Sequence, residues 1–508
     1  MSKSAMLGVA LVWVFILGAV AVSYKLFFLP KQQAEQQQAK VEEKKQVLQK
    51  TSTQTHYKDT VDFAIDNFSG YSILRSDAFR QYLASKSVML NLTDDSADYT
   101  ARLKNLQNGN ISMAVFTLDA LIKASAELGD MPATVVAIID ESNGADAIVS
   151  GKSFQNIDAL NNADTKFVVT PNSPSETLSR VVMANFNLTN LSDPFIKLNG
   201  AKEVYAEYLA SKPTDKKVFV LWEPYVSKIL ENPEYKSLID SSKFRGYIVD
   251  VIVVNRDFLV KNENVVKTFI EGYFDTNYSF KSKMDELTFA DAKANGEPLK
   301  LEMAKKLTTK IRWKNTQENY AHFGFTSGHG YQHIEDMLVN ITKVLVKTGA
   351  IKADPTAGQP NLLYYDKILR AMFDNNFHPG NTDEDVAAEK TLVALTDEEW
   401  NALLPVGTLQ VPRLVFPRGT ATLTSQSEET LTSLVADLKT FPQYYLIVRG
   451  HCSKVGDLEA NKILAQERAA ATMEWLVKNG VDKNRIKADT SEPNGSTTVA
   501  FILGQQSY

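Results

Sequence analysis

Residues 134–151 read TVVAIIDESNGADAIVSG, and this stretch decides the fold. It opens with an unbroken apolar run, Val135–Ile139, whose β-branched residues favour a strand buried on both faces. Turn-forming residues occupy 140–144, and a second apolar run begins at Ala147. The chain therefore either crosses here from one α/β lobe to another or forms a hairpin within one sheet. The strand–helix alternation on both sides of the stretch favours the crossing.

The segment before the crossing, residues 57–146, alternates strands and helices. Strands are predicted at 61–65, 88–90 and 111–116. This alternation predicts a parallel sheet, in which ligands bind outside the carboxyl ends of the strands. Three turns fall at those ends, at 67–72, 116–119 and 140–143.

The segment after the crossing begins a second lobe, residues 147–246. A strand is predicted at 166–170, followed by a helix that starts near Pro174. Ser173 and Glu176 have the spacing of a capping box at the start of that helix. A helix N-terminus that faces a crevice is also an anion-binding site, so the two interpretations compete for the same backbone amides.

An aromatic residue, Trp222, ends the next strand of the second lobe. It is either a lid on the core or part of an aromatic-lined pocket with Phe68 and Tyr71, which stand at equivalent strand ends. A long apolar strand at 246–255 then predicts a second crossing, back into the first lobe. Helices continue from there to Met372.

The composition excludes several classes of protein. The 508 residues are enough for about three domains, and the formal net charge of −5 argues against nucleic acid as a partner. The single cysteine, Cys452, excludes an internal disulfide and a cysteine metal cluster. His329 and His333 have the i, i+4 spacing of metal ligands, but glycines flank His329 and the glutamate of HExxH is absent. We therefore expect no metal and no cofactor.

The N-terminus predicts export. Residues 5–24 form a run of twenty residues without a charge, long enough to span about 30 Å of hydrocarbon. Ala19–Ala21 allows cleavage as a signal peptide, whereas the apolar residues at 26–29 favour an uncleaved anchor. The Gln-, Lys- and Glu-rich residues 31–50 predict a solvated helical stalk.

Eight short motifs, in this order, resemble periplasmic solute-binding proteins of the nitrate/sulfonate/taurine class. They are DNFSGYS (66–72), ISMAVFTLD (111–119), AIIDESNGADAIV (137–149), TPNSPSE (170–176), LWEPYV (221–226), GYIVDVIVVNRDFL (246–259), ENYAHFG (318–324) and DPTAGQPNLLYYDKIL (354–369). The resemblance covers about residues 57–375. It implies two lobes that close on a small ligand, often an oxyanion, which is passed to an ABC permease.

Carried onto this chain, the resemblance implies a set of crevice-facing residues: Asn67, Ser69, Tyr71, Thr117, Ser142, Ser173, Ser175, Trp222 and Glu223. None of them is a lysine or an arginine. An oxyanion would therefore depend on neutral donors alone, which leaves neutral, zwitterionic and cationic solutes open as ligands.

The C-terminal part carries a second resemblance. FPRGTATLT (416–424) and the segment 449–481 resemble the OmpA-like peptidoglycan-associating domain. In that family an aspartate and an arginine hold diaminopimelate; Arg468 and Asn461 are kept here, but Ser453 stands at the aspartate position. The missing charge implies binding weaker by about 1.5–3 kcal/mol, or a retained fold without wall binding. A strand is also predicted at 411–416.

Together these observations predict an α/β chain with a two-lobed periplasmic-binding-protein fold of type II, followed by an α+β OmpA-like domain. The predicted segments are an anchor or signal peptide (1–30), a stalk (31–55), a solute-binding domain (56–375), a linker (376–395) and the OmpA-like domain (396–508). Lobe 1 comprises 57–146 and 247–375, and lobe 2 comprises 147–246.

The expected function is that of a receptor anchored by a single span in a bacterial inner membrane, with its bulk in the periplasm and no enzymatic activity. Its expected partners are a small-molecule solute and the inner membrane, with peptidoglycan and a membrane permease or motor component left open. The alternative is a structural tether that links an inner-membrane complex to peptidoglycan, as in stator-type proteins. Those proteins usually carry an aspartate in the span, which residues 5–24 lack.

Overall fold

A computed structural model describes residues 56–296, 299–326, 331–380 and 392–506. The predicted anchor and stalk, and most of the predicted linker, lie outside the described residues. The chain divides into two units, 1–58 and 59–508, and the account below concerns the second. Among the described residues, every helix is too short or too polar to cross a bilayer.

The second unit is a mixed α/β structure. Its strands are β1 (Asp59–Ile65), β2 (Val88–Asp94), β3 (Met113–Thr117), β4 (Ala133–Ser142), β5 (Asp146–Ser150), β6 (Lys166–Val169), β7 (Phe195–Lys197), β8 (Lys217–Trp222), β9 (Lys236–Asp240), β10 (Val249–Asn255), β11 (Ile311–Trp313), β12 (Leu404–Thr408), β13 (Tyr445–Gly450), β14 (Ile486–Thr490) and β15 (Val499–Gln505). They form three sheets, with the orders β11-β4-β10-β3-β1-β2, β7-β6-β8-β5-β9 and β12-β15-β13-β14.

Helices cover these sheets. They are α1 (Ser72–Arg75), α2 (Asp77–Ser85), α3 (Tyr99–Gln107), α4 (Leu118–Leu128), α5 (Pro174–Asn185), α6 (Ala201–Ala210), α7 (Tyr225–Leu230), α8 (Arg256–Phe280), α9 (Met284–Ala294), α10 (Leu301–Thr308), α11 (Thr316–His322), α12 (Ile334–Lys347), α13 (Lys367–Asp374), α14 (Asp397–Asn401), α15 (Ser425–Leu438) and α16 (Leu458–Lys478).

The stretch 134–151 crosses between two sheets. β4 lies in the first sheet and β5 in the second, so a hairpin within one sheet is excluded. Every residue of β4 is buried, as its apolar sequence predicts. Gly144 supplies the bend with a φ of 101°, a conformation that a side chain would strain.

The second crossing lies between β9 and β10. β10 returns to the first sheet and inserts between β3 and β4, antiparallel to both. Two connections therefore join the first sheet to the second, and the second of them includes a short 3-10 helix at Ser241–Lys243. Glu141 fastens them together, because its carboxylate accepts a hydrogen bond from the Gly246 amide at 2.7 Å and pairs with Lys314 at 2.9 Å.

The C-terminal sheet begins earlier than predicted. The prediction of a strand at 411–416 is wrong, because those residues form neither helix nor strand. The first strand of the sheet is β12, which pairs with β15. Pro412 lies within the predicted run and Pro417 follows it, and proline cannot donate to a sheet ladder.

The C-terminal sheet and its helices pack against the second lobe. The Phe441 ring is buried between Phe186 and Phe244, with ring centroids 6.3 and 5.4 Å away. Backbone hydrogen bonds join Ile157 to Val406 and Asn187 to Thr408 at 2.9 and 3.0 Å. Although a linker is predicted before it, the C-terminal domain thus shares a buried contact with the lobe next to it.

Candidate ligand-binding crevice

Four side chains form a row across the first sheet, at the end where the chain crosses to the second. In the strand register Trp313 lies opposite Asp140, Asp140 opposite Asp250, and Asp250 opposite Thr117. Residues directly opposite each other share one face of a sheet, so the four side chains are neighbours. Asp140, Asp250 and Thr117 are buried and Trp313 is half-buried. We call these residues the acidic row.

The turn after β1 covers the acidic row. The Tyr71 hydroxyl donates a hydrogen bond to Asp250, and the Trp313 indole N–H donates to the Gly70 carbonyl oxygen at 2.8 Å. Gly70 lies so close that a Cβ there would stand 2.4 Å from Asp140 Oδ2. A side chain at position 70 would therefore push the turn away from the carboxyl groups.

The second sheet contributes a carboxyl group next to an indole. Asp146 lies opposite Trp222 in the pairing of β5 with β8. Asp146 accepts a hydrogen bond from Ser142 Oγ at 2.7 Å, and Ser142 Oγ lies 2.7 Å from Ser241 Oγ. These two hydroxyl groups connect both crossings to the carboxyl group at the edge of the second sheet.

Polar contacts hold the two lobes together. Thr177 Oγ1 of α5 donates to Asp119 Oδ2 of α4 at 2.5 Å, and Lys123 Nζ of α4 lies 2.9 Å from Glu176 Oε2 of α5. Lys310, just before β11, forms an ion pair with Glu223, just after β8. The two lobes therefore touch directly at the crevice.

The predicted capping box at the start of α5 is wrong. The Ser173 hydroxyl donates to the Thr170 carbonyl oxygen and makes no cap, while Glu176 accepts from the Asn172 amide at 2.7 Å. Lys123 and Arg180 also bind Glu176. Lys197 Nζ lies 3.7 Å from the same carboxylate, and the Asn172 amide that Glu176 accepts is no longer available to an anion at this helix N-terminus.

The sequence-predicted crevice residues divide by burial. Those that are buried are Tyr71, Thr117, Ser142, Ser173, Ser175 and Glu223. Ser69 and Trp222 are half-buried and Asn67 is exposed. The structure joins Tyr71 and Thr117 to the acidic row and Ser142 and Trp222 to Asp146, whereas Glu223 is engaged by Lys310.

Sequence reasoning missed the carboxyl groups themselves. Asp119, Asp140, Asp146 and Asp250 were absent from the predicted set, although each is buried at the lobe junction. Asp250 carries a signal: it is a lone charge inside the apolar run GYIVDVIVVN. An ionisable residue in a fully buried strand indicates either a paired charge or a site.

Burial raises the pKa of these carboxyl groups. Desolvation raises the pKa of Asp140 and of Asp146 to about 7. Burial, and then the neighbouring Asp140, raise the pKa of Asp250 well above its usual range. Lys314 has the opposite effect on Glu141, whose pKa is lowered to about 2 in spite of burial.

Replacing Asp140 with asparagine is expected to stabilise the unliganded protein above pH 7 by about 1–4 kcal/mol. A raised pKa means that the folded state holds a proton that the unfolded chain releases, so stability falls as pH rises from about 4 to 7. The gain should be smaller at pH 5, because at that pH folding takes up less free energy in keeping Asp140 protonated. Urea denaturation at pH 5 and pH 8 measures it.

The exposed Asp374→Asn variant is the matched control, since it removes the same charge outside the crevice. A stability gain of Asp140→Asn that is equal at both pH values would contradict a raised pKa for Asp140.

The predicted ligand residues of the C-terminal domain lie before and along α16: Ser453 precedes the helix, Asn461 lies in its first turn and Arg468 lies at its middle. Asn461 Nδ2 donates to the Val455 carbonyl oxygen at 2.9 Å, and Ser453 Oγ accepts from the Val455 amide at 3.0 Å. Arg468 donates to the Thr420 carbonyl oxygen at 2.9 Å. Both Ser453 and Asn461 thus shape the loop before α16, and the Arg468 guanidinium is partly engaged by the loop at 416–420.

A cavity of about 760 Å³ lies beside the crevice. Its lining includes Tyr278, Lys281, Arg312 and Trp313. Of the acidic row it contacts Trp313 alone, so it is a separate space.

The comparisons with known proteins identify the C-terminal domain. Residues 415–500 match the OmpA family. The peptidoglycan-associated lipoprotein of Brucella melitensis is 33% identical over 75 residues, which are 15% of this chain and 45% of that protein. The corresponding protein of Mesorhizobium japonicum is 32% identical over 75 residues, again 15% of this chain and 45% of its own. The chain therefore spans about 45% of the length of these curated relatives.

Solved structures of periplasmic binding proteins are among those that this chain resembles. A putative periplasmic sulfonate-binding protein from Methylobacillus flagellatus has a TM-score of 0.48 and 12% identity, and covers 65% of this chain and 99% of its own. The aliphatic sulphonate binding protein of Escherichia coli has a TM-score of 0.45 and 14% identity, and the match covers 61% of this chain and 99% of that protein. A Candida albicans protein with the generic periplasmic binding protein fold has a TM-score of 0.44 and 17% identity, and the match covers 65% of this chain and 99% of that protein.

Proposed function

We propose that the chain is a solute-binding receptor of the type II periplasmic-binding-protein class that carries an OmpA-family domain. One observation carries this proposal: two sheets are joined by two connections, and buried polar side chains from both sheets meet where the connections cross. Ligand sites in open α/β sheets lie at such carboxyl-end crevices. We propose no enzymatic activity.

The location belongs to the same proposal. We infer a single-span anchor at residues 5–24 in a bacterial inner membrane, with the lobes and the C-terminal domain in the periplasm. The uncharged length of that segment supports the anchor. An ABC permease would receive the solute from the open lobes.

Isothermal titration of the full chain tests the receptor. We expect saturable binding of one solute from a panel of oxyanions, amino acids and amines. Lys123→Ala removes one contact between the lobes and should change the affinity, because closure contributes to binding. The absence of binding across the panel, with no small molecule carried through purification, would count against a receptor.

A tether to the cell wall is the second candidate, and the OmpA-family match at 415–500 favours it. The relatives matched there are named as peptidoglycan-associated lipoproteins. A peptidoglycan pull-down of the full chain should retain it, and Arg468→Ala should reduce retention about tenfold, as loss of a charged contact does. If the unaltered chain stays in the supernatant, tethering through this domain is wrong.

A further inference from the structure

The crevice contains buried carboxyl groups that no described ion pair neutralises. The cations nearby each bind another acid: Lys123 and Arg180 bind Glu176, Lys310 binds Glu223, Lys314 binds Glu141, and Arg102 binds Asp66. Asp119, Asp140, Asp146 and Asp250 take part in none of the described ion pairs and are at most 4% exposed. Burying an acid without a counter-charge is costly, so this arrangement needs a physical reason.

Unsatisfied polar atoms accompany these acids. Apart from the facing Asp250 carboxyl group, no described donor reaches the Asp140 oxygens. Thr117 Oγ1, 2% exposed, shares the face of Asp250 and makes no well-aligned hydrogen bond with a described group, although it is near enough to Asp119 to lower the pKa of that carboxyl group. Acceptors left open in a buried row are what an incoming donor would bind.

Each wall of the crevice also pairs an acid with an indole. Asp140 lies opposite Trp313 and Asp146 opposite Trp222. A carboxylate beside an indole attracts an organic cation, because the ring face is electron-rich and the acid supplies the opposite charge. Among the described residues, no group of three or more acids, histidines or cysteines has the arrangement of a metal site, which favours an organic cation over a metal ion.

The chemistry of the crevice opposes an oxyanion. Lys123, Arg180 and Lys197 gather on Glu176 in the first turn of α5, and Lys310 and Lys314 pair with Glu223 and Glu141. An anion at the acidic row would meet buried acids that have no described cation within ion-pair distance, whereas an ammonium group would meet the open acceptors of Asp140.

We propose that the solute bound between the lobes is a small organic cation bearing a primary ammonium group, held by the acidic row and by Asp146. This rests on the receptor function proposed above. The ammonium group takes the open oxygens of Asp140 beside the Asp250 carboxyl group, and the two indoles cover its hydrocarbon part. The cation supplies the counter-charge that the empty crevice lacks, so binding and lobe closure stabilise each other.

Titration of the full chain with putrescine and ethanolamine, against ethanesulfonate, sulfate and taurine, tests the inference. We expect an ammonium probe to bind, and Asp140→Asn and Asp250→Asn each to weaken that binding at least tenfold. Thermal melts without solute verify that both variants fold. The exposed Asp374→Asn variant should bind like the unaltered chain.

The outcomes separate the two proposals. Binding of ethanesulfonate, sulfate or taurine in preference to the amines would overturn the cation inference and leave the receptor standing. Amine binding that is unchanged in both folded row variants would overturn the assignment to the acidic row. Binding of none of the probes, with no molecule carried through purification, would overturn both proposals.

Discussion

Replacing Glu141 with alanine is expected to lower the free energy of unfolding by about 3–5 kcal/mol. The carboxylate accepts the Gly246 amide and pairs with Lys314, whose side chain is only 2% exposed. Without Glu141 a buried ammonium group has no partner, and the two crossings lose the side chain that joins them. The midpoint of urea denaturation at pH 7 measures the loss.

Two controls identify the cause. Glu141→Gln together with Lys314→Met removes both charges and keeps an acceptor for Gly246, so it should recover most of the stability. The Glu141 pKa is lowered to about 2, so the ion pair contributes fully above pH 4.5 and is lost as pH falls through about 2. A double variant as unstable as Glu141→Ala would show that the unpaired charge is not the cause.

Replacing Phe441 with alanine is expected to cost about 3–5 kcal/mol and to uncouple the C-terminal domain from the second lobe. The ring is fully buried against Phe186 on one side and Phe244 on the other. We expect calorimetry to show one transition for the unaltered chain and two for the variant, because the domain then unfolds separately.

The matched control is Leu476→Ala, which removes a fully buried side chain of α16 within the C-terminal domain. The Leu476→Ala variant should lower the free energy of unfolding by a comparable amount. Two transitions in the control as well, or a single unchanged transition for Phe441→Ala, would contradict a coupling role for this contact.

The main strands and both crossings follow from the sequence because they are long and apolar. Val135–Ile139 has no polar residue, and the run at 246–255 has only Asp250 and the terminal Asn255 besides its apolar, aromatic and glycine residues. The edge strands β7, β9 and β11 were not predicted, because they are short and partly exposed. Their pairing depends on a neighbouring strand that is distant in the sequence.

The candidate site was less predictable than the fold. The Ser173–Glu176 spacing predicts a local cap, but Lys123 comes from the other lobe and binds Glu176 instead. Local spacing contains no information about a partner about fifty residues away. The acidic row likewise depends on the register of β4, β10 and β3, which sets Asp140 beside Asp250.

The central claim is that the two lobes open and close around a solute. Spin labels at the exposed Arg80 of α2 and Lys202 of α6, with the native Cys452 replaced by alanine, report the distance between the lobes in pulsed electron paramagnetic resonance. The account predicts a longer component without solute, its loss on saturation with the bound solute, and its increase in Lys123→Ala. A single distance, unchanged by every solute of the panel and by Lys123→Ala, would contradict it.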